Sequence, residues 1–259
     1  MLSYQHGYHA GNAADVHKHA LLAAVLSYMT RKDKPLGYTE THAGRGLYDL
    51  GAPEAVKTGE AAAGIGRAEH LLPADHPYRA SLARIRAKHG QTAYPGSPLI
   101  AADLLRPTDT LTLAELHPGE HAALCDAMAG QGAVISKIDG LAMALSKAPP
   151  RPRRGLLLCD PSYEVKADYD AIARWLPQVH AKWNVGVLML WYPILTDGRH
   201  RPMVAQIRAL IPAASVHEVA FAPARPGHGM RGSGMITVNA PYGMEKETAL
   251  LDDLFMKLR

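Results

Sequence analysis

The feature that most constrains the fold is a regular alternation of short apolar runs with helical segments. The runs at 155–159 and 185–191 are continuously apolar, which is typical of strands buried on both faces of a parallel sheet. Residues 167–182, between them, have helical spacing. Strands joined by helices form a parallel sheet covered on both faces. We therefore predict an α/β, Rossmann-like, doubly wound and mostly parallel sheet.

The same patterns predict the remaining elements. Further strands are predicted at 36–42, 110–116, 133–138, 216–221 and 235–238. Further helices are predicted at 13–29 with Asn12 as the N-cap, and at 99–105, 119–129, 141–147 and 199–211. Residues 50–93 favour helix at 59–72 and 74–89, so we predict a helical insertion subdomain within one domain spanning 1–259. Residues 222–234 contain Gly, Pro and Arg and are predicted to form a long loop.

The amino-acid composition limits the classes of protein to which this chain can belong. A chain of 259 residues that is 47% hydrophobic buries a core of one or two domains and is not disordered. Two cysteines are too few for a disulfide framework, which fits a reducing compartment. The apolar stretch 20–29 is too short to span a bilayer, and no basic signal-peptide region precedes it, so we expect a cytoplasmic protein. The net charge of +4 favours a polyanionic partner only modestly.

Polar residues follow four of the strand-like runs. His42, Glu115, Asp139 and Asp160 stand where runs end. Ligands of doubly wound sheets bind beyond the carboxyl ends of the strands, so these side chains are candidate site residues. Any one of them alone is better explained as a helix cap or turn residue, and it is the occurrence of four together that favours a site.

The glycine turn at Gly44 favours one class of ligand. In a dinucleotide fingerprint that begins at Gly44, the third glycine would stand at Asp49, and a carboxylate there disfavours a pyrophosphate. S-adenosylmethionine has no phosphate and needs only close backbone approach at the turn. Glu115 offers two acceptor oxygens to ribose hydroxyls. Asp139 and Gly140 either read an adenine edge or form an ordinary Asp-Gly turn.

The sequence 160–163, Asp-Pro-Ser-Tyr, is the sharpest signal of chemistry. It resembles the D/N-P-P-Y/F motif of methyltransferases that act on exocyclic amino nitrogens, with Ser162 in place of the second proline. The amino nitrogen of adenine is a poor nucleophile, so Asp160 and the Pro161 carbonyl would accept its two hydrogens. Tyr163 would stack on an extruded base.

Four histidines near the N-terminus raise the alternative of a metal site. They are His6, His9, His17 and His19. His17 and His19 are two residues apart on the predicted helix, unlike the i, i+4 pair of a helical zinc site, so we predict no metal.

Blocks along nearly the whole chain resemble one family, the stand-alone bacterial methyltransferases that modify N6 of an adenine in 23S ribosomal RNA (the RlmJ family). The blocks begin with 1–4, His6, 9–12, 14–16 and 18–19, and continue with 41–44, 94–98, 115–118, 160–161, 163–164, 191–193 and 233–235. Several blocks in one order are more specific than any single motif.

The resemblance implies a class I methyltransferase fold and assigns roles. S-adenosylmethionine would be contacted by His19, His42, Ser97, Glu115, Asp139 and Gly140, in addition to the Gly44 turn, and Asp160 would be catalytic. Tyr4, His6 and Lys18 would place the RNA at the mouth of the site. The expected partner is 23S ribosomal RNA, naked or in an early assembly intermediate, with no membrane partner and a monomeric enzyme. The same chemistry on DNA adenine or a protein amide stays open, as does an inactive RNA-binding module.

Overall fold

The computed structural model of the chain describes residues 5–223 and 229–258. The main sheet has seven strands in the order β5-β4-β1-β6-β7-β9-β8, and β2 and β3 form a separate two-stranded sheet. The strands are β1 (Gly37–Glu40), β2 (Leu47–Asp49), β3 (Ala93–Pro95), β4 (Thr110–Ala114), β5 (Val134–Ser136), β6 (Gly155–Cys159), β7 (Val187–Leu195), β8 (Ser215–Ala220) and β9 (Met230–Val238).

Helices cover both faces of this sheet. They are α1 (Ala13–Thr30), α2 (Pro53–Thr58), α3 (Glu60–Ala63), α4 (Ile65–Ala68), α5 (Pro77–His89), α6 (Ser97–Leu104), α7 (Pro118–Ala127), α8 (Gly140–Lys147), α9 (Ala167–Lys182), α10 (His200–Leu210) and α11 (Met244–Leu258), with short 3-10 helices at His6–Tyr8 and Glu69–Leu71. In the part of the chain described above, no helix combines the length and apolarity needed to cross a membrane.

The predicted sheet is confirmed. β1 pairs in parallel with β4 on one side and β6 on the other, and β6 pairs in parallel with β7. The bounds of β6 and α9 are those predicted from the apolar run and the helical spacing. Among the described strands of this sheet, β9 alone runs antiparallel to its neighbours, β7 and β8. The chain therefore has a doubly wound, mostly parallel, Rossmann-like sheet.

Helix α1 fixes the N-terminal segment against the core. The Asn12 side chain accepts a hydrogen bond from the Asp15 N–H and caps the helix as predicted. The helix packs against α5, α6, α11 and β9. Contacts on so many sides bury His17, Lys18 and His19 together with its apolar residues. Polar side chains on this helix must therefore find partners inside the protein.

Two predictions in the connecting regions are wrong, and one helix was not predicted. The helix predicted at 59–72 is broken into α3, α4 and a 3-10 turn, because Gly64 has a non-helical backbone, with φ −89° and ψ −103°, and approaches Gly11 so closely that a Cβ would stand 2.3 Å from the Gly11 carbonyl oxygen. The loop predicted up to Gly234 ends earlier, since β9 begins at Met230. Helix α11 was not predicted, although its buried residues Leu251, Leu254, Phe255 and Leu258 have helical spacing. The assignment of 50–93 as an insertion subdomain stays a prediction.

Gly155 is predicted to be essential for the pairing of β6 with β1. A Cβ at this position would stand 2.2 Å from the Gly37 carbonyl oxygen. We expect Gly155→Ala to lower the free energy of unfolding by about 2 kcal/mol, because overpacking a well-packed core costs about 1–3 kcal/mol. Urea denaturation measures this change. Gly229→Ala, whose Cβ would have no atom of the described residues within 4 Å, is the control; equal stability of the two variants contradicts the prediction.

Candidate active site

The parallel strands bring three of the four predicted strand-end residues to the wall of one cavity. Strands β1, β4 and β6 lie side by side and end at Glu40, Ala114 and Cys159. His42, Glu115 and Asp160 follow at the same carboxyl edge and line a cavity of about 390 Å³. This is the edge at which doubly wound sheets bind ligands.

Most of the other predicted site residues line the same cavity. They are His6, Lys18, His19, Gly44, Ser97, Pro161 and Tyr163. Asp139 and Gly140 are not in the lining formed by the described residues. Tyr4 lies outside the described residues.

A buried ion cluster joins α1 to the end of β6. The Lys18 ammonium donates to Asp160 Oδ2 at 2.5 Å and lies 3.0 Å from Asp15 Oδ1. His6 Nε2 is 2.8 Å from Asp15 Oδ2, which also accepts the Gly11 N–H. Asp15 was not among the predicted site residues, yet it connects His6 and Lys18, two residues predicted to place the substrate.

The charges of this cluster stabilise one another. Burial by itself raises the pKa of Asp15, but attraction to His6 and Lys18 holds that pKa well below its ordinary value. Burial likewise lowers the pKa of Lys18, but Asp160 and Asp15 together hold it well above its ordinary value. Lys18 is therefore a permanent cation at the floor of the cavity.

Asp160 keeps one carboxylate oxygen available. Lys18 occupies Oδ2, whereas Oδ1 accepts no hydrogen bond from the described part of the chain. The Asp160 side chain is 16% exposed and faces the cavity. The backbone turns sharply just beyond it, with Tyr163 at a φ of 53°. An acceptor oxygen thus stands ready at the end of a buried strand.

The ring of Tyr163 lies deeper than the sequence suggested. It is 5% exposed and packs on Tyr169, with ring centroids 4.5 Å apart. Its hydroxyl donates to the Trp191 carbonyl at 2.9 Å. The ring of Trp191, only partly buried, lines the cavity as well.

The glycine turn and Glu115 form one unit. Gly44 has a φ of 61°, and a Cβ there would stand 2.6 Å from the Tyr48 hydroxyl. Its N–H donates to Glu115 Oε2, and the His117 N–H donates to Oε1, both at 2.8 Å. These bonds aim the carboxylate at the cavity and leave each oxygen a further lone pair for a hydroxyl.

Asp139 and Gly140 have structural roles next to this unit. Asp139 is the N-cap of α8 and accepts the Ala142 N–H at 3.0 Å. A Cβ at Gly140 would stand 1.8 Å from the Thr41 carbonyl oxygen, so helix α8 can approach β1 this closely only with glycine there. The predicted cofactor contacts of both residues stay predictions.

Two histidines present neutral rings to the cavity. His19 Nδ1 is 3.0 Å from the Tyr94 hydroxyl, and burial lowers the pKa of His19 to about 3. Its Nε2 is buried with no hydrogen-bond partner among the described residues, although Asp15 Oδ1 lies 4.0 Å away. His42 Nδ1 is 2.8 Å from the Thr41 hydroxyl, and burial lowers its pKa too. An orphaned ring nitrogen in a cavity wall fits a polar ligand at this position.

Sequence reasoning missed Glu40, which lies directly beneath the site. It is fully buried, accepts from Ser97 Oγ at 2.5 Å and from the Tyr38 hydroxyl at 2.8 Å. Burial raises its pKa to about 8 despite these two bonds. Ser97, a predicted cofactor contact, is thus also the partner of a buried acid. The signal that could have identified Glu40 is a carboxylate at the end of an otherwise buried strand, where an ionisable side chain is rare.

The N-terminal histidines have partners other than a metal. His6 contacts Asp15, His9 contacts Glu60, and His17 contacts Ser233 and His217. In the ranges the structure describes, no group of three or more His, Cys, Asp or Glu side chains is arranged to hold a metal ion.

The donor set fits S-adenosylmethionine. Glu115 suits a diol, Gly44 permits close approach of the backbone, and the unpartnered nitrogen of His19 suits a polar group. No phosphate-binding cluster of arginines is needed for this cofactor, and the carboxylates suit its positive sulfonium.

Comparisons with known proteins agree on one family. Residues 33–258 match the family model described as "Ribosomal RNA large subunit methyltransferase D, RlmJ". The chain is 39% identical over 252 residues to ribosomal RNA large subunit methyltransferase J of Escherichia coli, covering 95% of this chain and 90% of that protein. It is 36% identical over 253 residues to the protein of that name from Haemophilus influenzae, with the same coverage. A crystal structure of a Legionella pneumophila protein superposes with a TM-score of 0.87 at 32% identity, covering 96% of this chain and 94% of that one.

The buried acid predicts a specific pH dependence of stability. The pKa of Glu40 is about 8 in the fold against 4.5 for an exposed glutamate, so its stabilising contribution is fully present below about pH 4.5 and is lost by about pH 8. Glu40→Gln mimics the protonated acid. We expect the stability of wild type relative to this variant to fall by up to about 1.4 kcal/mol per pH unit in that window. Urea denaturation at several pH values tests this; parallel pH profiles of the two proteins contradict it.

Proposed function

The chain belongs to the RlmJ family of ribosomal RNA large subunit methyltransferases, and on that basis we propose that it methylates the exocyclic N6 of an adenine in 23S ribosomal RNA. It is an S-adenosylmethionine-dependent ribosomal RNA methyltransferase. The observation that carries the N6 assignment is Asp160, which follows the buried strand β6 at the cavity wall with one carboxylate oxygen available.

The cofactor-binding residues are proposed to be those around the Gly44 turn. Glu115 would hold the ribose hydroxyls, while Ser97, His19 and His42 would contact the remaining polar groups, with Asp139 and Gly140 beside the adenine edge. When bound, S-adenosylmethionine supplies a methyl group activated by a positive sulfonium. The side chains bind and orient this cofactor, and none of them supplies the methyl group.

Asp160 and the Pro161 carbonyl are proposed to accept the two amino hydrogens of the adenine. When both N–H groups donate hydrogen bonds to these fixed acceptors, the nitrogen favours a pyramidal geometry in which its lone pair points at the methyl group. Ser162 replaces the second proline of the motif but leaves the Pro161 carbonyl as the acceptor. Because Lys18 occupies Oδ2, the Oδ1 oxygen of Asp160 takes the acceptor role.

The N-terminal segment is proposed to place the RNA. His6 lines the cavity and is held by Asp15, which also holds Lys18. Tyr4, Lys18 and Tyr163 complete the set of residues assigned to the base and its surroundings. An unpaired, extruded base is the form of RNA that such a cavity accepts.

The substrate form and the state of the enzyme belong to the same proposal. We propose that the enzyme acts as a monomer. A pocket that reads a flipped base supports naked 23S RNA or an early assembly intermediate as substrate, and we place the reaction in the cytoplasm.

The decisive experiment identifies which nucleoside receives a labelled methyl group. Purified protein is incubated with unmodified 23S RNA and methyl-labelled S-adenosylmethionine, and the RNA is digested to nucleosides. We expect label in N6-methyladenosine. Label in another nucleoside overturns the N6 assignment, and label only in a duplex DNA oligonucleotide or a protein amide transfers the chemistry to that polymer.

Replacing Asp160 tests its role as acceptor. Asp160→Ala removes both carboxylate oxygens and with them the acceptor that the amino group needs, so we expect a loss of at least about 100-fold in turnover, in the range typical of a lost catalytic group. Cofactor affinity, measured by calorimetry, should stay close to wild type. Asp103→Ala, which removes only a surface pair with Arg84, is the matched control. Unchanged turnover of the Asp160 variant removes this residue from the mechanism.

Replacing Glu115 tests the cofactor site instead. In Glu115→Gln the new amide hydrogens face the N–H groups of Gly44 or His117, which need acceptors. We expect S-adenosylmethionine to bind about 10- to 100-fold more weakly, the effect of losing hydrogen bonds to a charged group. Calorimetric titration gives the constant, and Glu69→Gln, which alters only the pair with Arg86, provides the comparison. Equal affinity in all three proteins rejects the assignment.

A further inference from the structure

Trp191 presents an aromatic surface beside the proposed acceptor. It lies in β7, is partly exposed, and lines the cavity. The Lys18 ammonium that contacts Asp160 Oδ2 lies 5.9 Å from the centroid of the Trp191 ring. The ammonium lies over the ring, so the indole and the Asp160 carboxylate stand on either side of the same Lys18 side chain.

Tyr163 leaves less surface for such a group. Tyr169 packs on the Tyr163 ring, and the side chain is 5% exposed. The Tyr163 hydroxyl is bonded to the carbonyl of Trp191, so the two residues form one wall. Within that wall, the indole is the ring with the more accessible surface.

The indole nitrogen begins a buried chain of hydrogen bonds. Trp191 Nε1 donates to Ser233 Oγ at 2.8 Å, and Ser233 Oγ is 2.8 Å from His17 Nδ1. His17 Nε2 is 2.9 Å from His217 Nδ1, and His217 Nε2 is 3.2 Å from Asp252 Oδ1. The chain thus runs from the cavity wall, through His17 on α1, to the exposed carboxylate of Asp252 on α11.

The chemistry of the indole fixes the first bond of the chain, because an indole N–H can only donate. Ser233 Oγ therefore accepts from Trp191 Nε1. Burial, together with His217, lowers the pKa of His17, so its ring is neutral, with one donor nitrogen and one acceptor nitrogen. His17 thus joins Ser233 on one side to His217 on the other, and the Ser233 hydroxyl held in this way fixes the position of the indole nitrogen.

We propose that Trp191 is a substrate-contacting residue on which the target base stacks, and that Ser233, His17 and His217 are positioning residues that hold its indole in place. The inference rests on the proposed function, since it needs a base as the occupant of the cavity. The chain of hydrogen bonds has no contact with the methyl donor in this account and acts only through Trp191.

The first test compares two substitutions of Trp191. Trp191→Ala removes the stacking surface, so we expect kcat/KM for an unmodified 23S RNA transcript to fall by about 5- to 150-fold, the range for one base stacked on one aromatic ring. Trp191→Phe keeps a ring and should lose less than Trp191→Ala. Calorimetric affinity for S-adenosylmethionine, unchanged in both, shows that the fold and cofactor site survive. Trp175→Phe, which loses an indole bond to the Leu141 carbonyl away from the cavity, is the matched control.

The second test isolates the positioning role. Ser233→Ala removes the hydroxyl between Trp191 and His17, and we expect KM for the RNA to rise several-fold with kcat little changed. In a Trp191→Phe background the indole N–H is already absent, so Ser233→Ala should have no further effect. A general structural role for Ser233 gives the same loss in both backgrounds and overturns the positioning assignment.

The wild-type reaction separates the two proposals. If wild type forms no N6-methyladenosine in the transcript, the proposed function fails. If wild type forms it and Trp191→Ala keeps the same kcat/KM, the inference fails while the proposed function stands.

Discussion

The buried contact of Lys18 with two carboxylates is the interaction on which the rest of the site depends. Asp15 belongs to the same helix as Lys18, whereas Asp160 follows the central strand β6, so the ammonium ties the N-terminal helix to the end of the sheet. Removing one partner of such a buried cluster leaves an uncompensated charge, which costs several kcal/mol. The cluster therefore persists only while α1, β6 and the His6 segment keep their mutual positions. Binding geometry and local stability are consequently set by the same three side chains.

The strands and helices of the core could be predicted from the sequence because their signals are local. The run at Gly155–Cys159 and the spacing at Ala167–Lys182 determine β6 and α9 without reference to the rest of the chain. The position of His42, Glu115 and Asp160 at one edge then follows from the topology of parallel strands. By contrast, β2 and β3 are three residues each and pair across the whole intervening helical region. A pairing this short and this distant leaves no periodic signal in the sequence.

The site could be predicted less completely because the hydrogen-bond and ion-pair partners of its residues come from distant parts of the chain. Asp15 and Glu40 were visible as carboxylates in apolar segments, but nothing in the sequence says that one meets His6 and Lys18 while the other meets Ser97. For Tyr163 the sequence indicated a role but not the correct exposure. Its place in the motif suggested an open stacking face, whereas packing on Tyr169 buries the ring. Motif reasoning gives the residue type that the chemistry needs, and only the packing decides which surface is accessible.

The charges around the cavity explain why a buried acid lies beneath it. Asp15, Lys18 and Asp160 form an ion cluster at the floor of the cavity, and His6 contacts Asp15. Burial is the main cause that raises the Glu40 pKa to about 8, and proximity to Asp160 adds to it. A negative charge on Glu40 is therefore disfavoured beneath this cluster, and at neutral pH Glu40 is mostly protonated while it accepts hydrogen bonds from Ser97 and Tyr38. The site thus places a neutral, buried acid beneath the carboxylates of the ion cluster, and burial is what keeps that acid neutral.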